Sequence, residues 1–237
     1  RQSPIPMSFF LAREVDACTH RVRVYRIWGS RAPKQELCRT LLLYDYLATQ
    51  ATDGVLQATQ ILQAVLTSLG PIWPGRMTLG GVNLGDVWRH RQVTGVGASA
   101  GLIPFHKLSQ WLAYSLLEPL AASGLTVAGI DTLTGLAEYR NGGLFIDLGV
   151  LTPQDRAILE QAHTPDAEII VEWRALTVAL LDILAHHIRN VLGVSAEEVP
   201  LTQVLEGGTW RAGRQIAWER RGDGSPPLRL LSDGTVF

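Results

Sequence analysis

Cysteine is nearly missing from this chain. Only Cys18 and Cys38 occur in 237 residues, too few for a disulfide scaffold or a cysteine-built zinc site. Excess charge of either sign is missing too: 21 basic residues face 22 acidic ones, for a net charge of −1. A general nucleic-acid binder carries a basic excess or stripe, so that class starts poorly supported. No apolar run approaches the roughly 18 residues of a membrane span. Internal repeats and low-complexity tracts are absent. What is there is 46% hydrophobic and only 18% charged residues, which excludes a disordered chain. The length favours one domain, able to bury a core without metal or disulfide staples. These properties describe a soluble, cytoplasmic protein with neither nucleic acid nor membrane as its partner.

The average hides two regions. Residues 1–46 read as a poorly patterned leader, with eight basic and three acidic residues between Arg1 and Arg39. Arg21 to Ile27 alternates like a half-exposed strand, but the neighbouring segments offer no clear partner. An Arg-rich, acid-poor start also suits a targeting peptide. Residues 47–237 read as a single mainly helical domain. Helical spacing from Leu56 to Leu69 stops at Gly70-Pro71. The glycines and asparagine between Leu79 and His90 suit tight turns. A helix is expected from Pro104 to Ala122, with Pro119 kinking or ending it. Gly135 to Leu151 is expected to begin as a short helix and open at Asn141-Gly142-Gly143, and Pro153 to start another. The longest helix is expected from Ile169 to Leu192, with Trp173, Leu176, Leu180, Ile183, Leu184 and His187 along one side and Gly193 as its stop. A short helix follows from Thr209 to Trp218, and Leu228 to Phe237 reads as a terminal β element.

Most candidate motifs have a plainer explanation. Gly80 to Gly85 lacks the Lys-Ser/Thr of a phosphate loop and the spacing of a dinucleotide fingerprint, so a structural turn is the better reading. Asp86, Arg89 and His90 follow it closely enough to line a site. His90, His106, His163 and His186-His187 show no metal-ligand spacing, and no metal or cofactor is implied. Ser109 and Ser115 lack a nucleophile-elbow pattern.

Two groups carry more. Lys107 is the only lysine after the leader, at a predicted helix start beside Phe105-His106. A helix N-terminus with a nearby cation favours anions, although a solvated lysine explains it too. Glu138-Tyr139-Arg140 sets an acid, a phenol and a guanidinium just before a glycine turn. They could hydrogen-bond a sugar, stack and grip a phosphate, or simply form a surface helix end. Glu172-Trp173-Arg174 has a similar make-up, but Glu172 at a helix start is first explained by the helix dipole.

The segments Gly70 to Gly75, Thr78 to His90, Gly101 to Leu120, Leu133 to Leu151, Glu168 to Leu181, Leu205 to Gly213 and Ser232 to Phe237 together resemble the uracil-catabolism protein family of fungi and bacteria, long catalogued as a domain of unknown function. The resemblance runs from about Leu56 to Phe237. Family members extend further on the N-terminal side, so the chain looks like their C-terminal portion. A more distant resemblance links Phe105 to Gln110, Leu133 to Arg140 and Glu172 to Ala175 to the queuosine salvage nucleosidases. That family is helical, related in fold to helix-hairpin-helix DNA glycosylases, and cleaves a base from a ribose 5′-phosphate. It carries Asp where this chain has Glu138.

The two resemblances imply an N-ribosyl hydrolase releasing urea from a phosphorylated ribosylurea in uracil degradation. Glu138 is then the first catalytic carboxylate, with Glu172 or Asp147 as a second or competing one. Lys107 and Arg140 hold the phosphate. Tyr139 and Trp173 wall the sugar or urea, and His106 and Asp86 complete the substrate contacts. The substrate is a small phosphorylated ribosyl compound, and no cofactor is needed. The alternative is a non-catalytic partner or regulator of another uracil-degrading enzyme.

Overall fold

In the computed structural model the described residues are 43–231, together with two short strands, β1 (Val15–Asp16) and β2 (Arg21–Val22), which pair antiparallel. The remainder of the leader, including Cys18 and Cys38, and the terminal segment after Leu231 lie outside the described residues. Among the described residues helices supply the long elements, and each sheet has two strands. The mainly helical expectation therefore holds. By their contacts the residues group into two compact units, one running to Ile72 and including Ser109–Leu133, the other Trp73–Leu108 with Thr134 onward.

In the first unit, α1 (Leu43–Gln50) is followed by β3 (Val55–Gln57) and α2 (Ala58–Leu69). β3 pairs in parallel with β8 (Thr126–Ala128). Leu47, Leu56, Ile61 and Val65 are completely buried; Ile61 and Val65 lie in the expected helical stretch, whereas Leu56 belongs to β3 instead of the helix. The Gln60 side chain accepts the Gln57 backbone N–H at 2.8 Å, steadying the start of α2.

In the second unit, β4 (Thr78–Leu79) and β5 (Val82–Asn83) form a hairpin. Gly80 and Gly81 make its turn with φ of 57° and 80°, the left-handed pair that a two-residue hairpin loop requires. β6 (Val87–Arg89) then pairs antiparallel with β7 (Leu102–Pro104). Pro104 thus ends a strand instead of opening a helix. His106 takes a left-handed φ of 47°, which breaks any helical run, and α3 starts at Lys107 and ends at Ala122, three residues after Pro119. The first two residues of α3 belong to the second unit.

The segment around Asn141 reverses the expectation. Residues up to Glu138 are not helical, and α4 (Tyr139–Asp147) contains Asn141-Gly142-Gly143 in its body. Glycine is a poor helix former, by about 1 kcal/mol against alanine, but packing overrides that here. A Cβ on Gly142 would lie 2.5 Å from Thr177 Oγ1 and 2.8 Å from Trp173 Nε1, so no side chain fits. The same holds across α6 (Arg211–Arg221), where a Cβ on Gly213 would fall on the Arg140 carbonyl.

The long helix, α5, runs Glu168–Leu192 and stops at Gly193 with φ of 69°, as anticipated. Its buried face differs from the predicted one. Ile170, Trp173, Arg174, Thr177, Leu181 and Ala185 point inward, while Leu176 and Ile183 are exposed. Asp155 Oδ1 accepts the Ala157 N–H at the start of a single turn, Ala157–Glu160, later than Pro153. Glu206-Gly207-Gly208 lies within a wide helical turn, Val204–Trp210, leading into α6. β9 (Ala162–His163) pairs in parallel with β10 (Arg229–Leu230), the described part of the terminal β element.

Candidate functional site

The β6–β7 hairpin places Asp86, just before β6, opposite the residues that follow β7. Its carbonyl accepts the N–H groups of Phe105 (3.0 Å) and His106 (3.3 Å). Its carboxylate Oδ2 accepts the Lys107 N–H at 3.0 Å, occupying an open donor of the α3 N-terminus. Trp88 Nε1 donates to Oδ1 at 2.6 Å. The fully buried Arg174 of α5 then forks onto both oxygens, Nη1 to Oδ1 and Nη2 to Oδ2, each at 2.7 Å. Burial pushes the Asp86 carboxyl up, but these hydrogen bonds and the guanidinium charge outweigh it and hold it below its ordinary value. The Arg174 guanidinium also lies 4.2 Å from the centre of the Phe105 ring, within a core of Trp88, Phe105, Ala137 and Val171.

Glu138 is the N-cap of α4. Its Oε2 accepts the N–H groups of Arg140 (2.9 Å) and Asn141 (3.4 Å), and Arg140 Nη1 donates to Oε1 at 3.0 Å. An acidic cap here matches both the open donors and the positive end of the helix dipole. Burial nevertheless raises the Glu138 carboxyl above its usual value, against the pull of Arg140 and Lys107. Lys107 is its counterpart. Only 7% of it is exposed, and its ammonium makes no hydrogen bond or ion pair among the described residues. Burial lowers its pKa to about 8, and Glu138 is the strongest charge opposing that fall. A largely buried lysine with no ion pair among the described residues, in the field of a buried carboxylate, is suited to an anionic group.

The other predicted residues divide clearly. Tyr139 and Arg140 belong to this site: the Arg140 guanidinium lies 4.4 Å from the Tyr139 ring centre and 5.0 Å from that of Trp210. His106 adjoins it, half-buried, with burial lowering its pKa against the opposing charge of Asp86. The Asp86 carboxylate accepts from Trp88, the Lys107 N–H and Arg174. Trp173 is a core residue, packed with Ile170 and Leu228. Asp147 sits at the far end of α4, about 13 Å from Glu138 by helical rise, and is forked by Arg221 at 2.7 and 2.6 Å. Glu172, exposed on α5, lies 3.5 Å from the buried His90 Nε2. Neither of these carboxylates is joined to Glu138 by a contact. Among the described residues no group of three or more His, Cys, Asp or Glu side chains could hold a metal ion. No described helix is long and apolar enough to cross a membrane.

Sequence reasoning named Arg174 within Glu172-Trp173-Arg174 but gave it no role. The signal was available: it occupies the i, i+4 face of Ile170 and the i−3 face of Thr177 on the long helix, where an inward arginine demands a buried acid. Trp210, which flanks Arg140, carried no comparable mark.

Residues 23–237 match the protein family described as "Protein of unknown function (DUF1688)", and the chain belongs to that family. The match begins within the stretch set apart above as a leader. Two curated relatives bear out the resemblance to the uracil-catabolism family. Uracil catabolism protein 4 of Lachancea kluyveri is 40% identical over 82% of this chain and 50% of its own length. Protein urg3 of Schizosaccharomyces pombe is 42% identical over 77% of this chain and 45% of its own. The chain thus spans about half the length of these relatives. No solved structure matches.

Proposed function

We propose that this chain acts in uracil catabolism as an N-ribosyl hydrolase, releasing urea from a phosphorylated ribosylurea. The name of the Lachancea relative supports the pathway. The observation that carries the chemistry is the largely buried Lys107 side chain, whose ammonium has no ion pair among the described residues, in the field of the buried Glu138 carboxylate.

Breaking the C–N bond develops positive charge at the anomeric carbon. A fixed carboxylate stabilises that charge far more in the transition state than in the ground state. Glu138 supplies it, pre-positioned by two backbone N–H groups and Arg140. Water adds its oxygen to the anomeric carbon, and its proton passes through Glu138 to the departing urea nitrogen. Lys107 takes one phosphate oxygen. Arg140 offers a second grip through Nη2, since Nη1 is held by Glu138. Phosphate binding then positions the reacting carbon, and Tyr139 borders the sugar.

Incubating a large excess of ribosylurea 5-phosphate with the protein and assaying urea tests this function. Many equivalents of urea per chain are expected. No urea, alongside tight binding to another uracil-degrading enzyme, would establish the partner role instead.

A further inference from the structure

Lys107 and Glu138 come from segments far apart in sequence, and one buried side chain touches the supports of both. Through Nη1 and Nη2, Arg174 holds the Asp86 carboxylate, which binds the Lys107 N–H. The Asp86 carbonyl fixes the Phe105 and His106 amides, including the left-handed step that starts α3. Through Nε, Arg174 reaches the carbonyl of Ala137 at 3.4 Å, the residue before Glu138. Phe105 closes the arrangement beneath the guanidinium. A planar fork can serve both oxygens of a carboxylate and a third acceptor at once, which a lysine ammonium of similar length cannot do with the same geometry.

We infer that Arg174, acting with Asp86, is a positioning residue that sets the Lys107 ammonium and the Glu138 carboxylate in register for a phosphorylated sugar. The inference rests on the hydrolase reading for its ligand, but its evidence is the geometry of the chain itself. Four charged groups act on Lys107: Glu138 and Asp86 favour its ammonium, and Arg174 and Arg140 disfavour it. Replacing Arg174 by lysine keeps the charge in that set and removes the fork. A change at Lys107 in that variant therefore reports position rather than net charge.

The chain has two lysines, Lys34 and Lys107, so lysine labelled at Cε with carbon-13 gives two NMR signals. A Lys34→Arg sample assigns them. In the parent, Lys107 is expected to titrate near 8. In Arg174→Lys, which adds a third lysine signal that a Lys107→Arg change in the same background tells apart, and with cooperative unfolding retained, the Lys107 midpoint should move upward by about one pH unit or more as the ammonium reaches water. Affinity for ribose 5-phosphate, measured by calorimetry, should fall about tenfold or more. A folded Arg174→Lys protein with both values unchanged overturns the inference. If that variant does not fold, Asp86→Asn supplies the decision: its amide keeps the shape but offers one acceptor where the fork and the Lys107 amide need two. Weaker ribose 5-phosphate binding there supports the anchor, and parent-like affinity overturns it. A parent protein that releases no urea refutes the hydrolase reading while leaving these two readouts to judge the anchor separately.

Discussion

Removing the Lys107 ammonium should make the protein more stable. Its pKa falls from the ordinary 10.5 to about 8 in the folded chain, with burial as the leading cause. At about 1.4 kcal/mol per pH unit, holding that charge in the fold costs about 3 kcal/mol at neutral pH. The folded pKa lies below the unfolded one, so between about pH 8 and 10.5 the unfolded chain binds more protons. Stability of the parent therefore rises with pH through that window, and the full penalty is present below it. Lys107→Met keeps an unbranched apolar stem and deletes the charge. Urea denaturation at pH 7 should show the variant about 3 kcal/mol more stable, with the gain fading as pH approaches 10.5. Ribose 5-phosphate at a hundred times its dissociation constant should add about 2.7 kcal/mol to the parent and far less to the variant. A Lys107→Met protein no more stable than the parent at pH 7, or one whose advantage ignores pH, would refute a charge destabilised by burial.

Because Lys107 must be protonated to hold a phosphate, affinity for ribose 5-phosphate should decline above pH 8, whereas ribose should bind weakly throughout; calorimetry from pH 6 to 9.5 checks both. Asp147→Ala strands the Arg221 guanidinium at the end of α4 and should cost about 2 kcal/mol or more of stability, read by denaturation, with ribose 5-phosphate affinity unchanged. Gly213→Ala drives a methyl into the Arg140 carbonyl; it should destabilise by about 1–3 kcal/mol and weaken phosphate binding by displacing Arg140, and parent-like values for both would contradict the close approach of α4 and α6.

The elements that were legible in the sequence are those whose local signals agree. The apolar periodicity of α2, the Gly193 stop of α5 and the Gly80-Gly81 hairpin turn each follow from spacing or backbone preference alone. The α4 helix was not legible, because its glycines oppose helix by propensity and are required by contacts with Trp173, Thr177 and the partner helix α6. Those contacts are set by residues distant in sequence. The α5 face was misjudged for a related reason: leucines at 176 and 180 advertise a core stripe, yet the inward positions include Arg174 and Thr177, whose polar groups are met by Asp86, Ala137 and Trp173. In the site, Lys107, Glu138 and Arg140 could be picked out by residue type and resemblance. The pairing of Asp86 with Arg174 joins residues 88 positions apart, which no local pattern displays.

Single-turnover urea release from ribosylurea 5-phosphate, compared between the parent and Glu138→Gln, tests the central assignment most directly. Glutamine keeps the shape and part of the hydrogen bonding of the α4 cap but removes the negative charge. The rate should fall on the order of a hundredfold or more, while affinity for ribose 5-phosphate changes far less, since the ground state carries little charge at the reacting carbon. Glu138→Asp should retain partial activity, and Glu172→Gln, altered at an exposed position beside His90, should remain close to the parent. A Glu138→Gln protein that turns over at the parental rate would contradict the account.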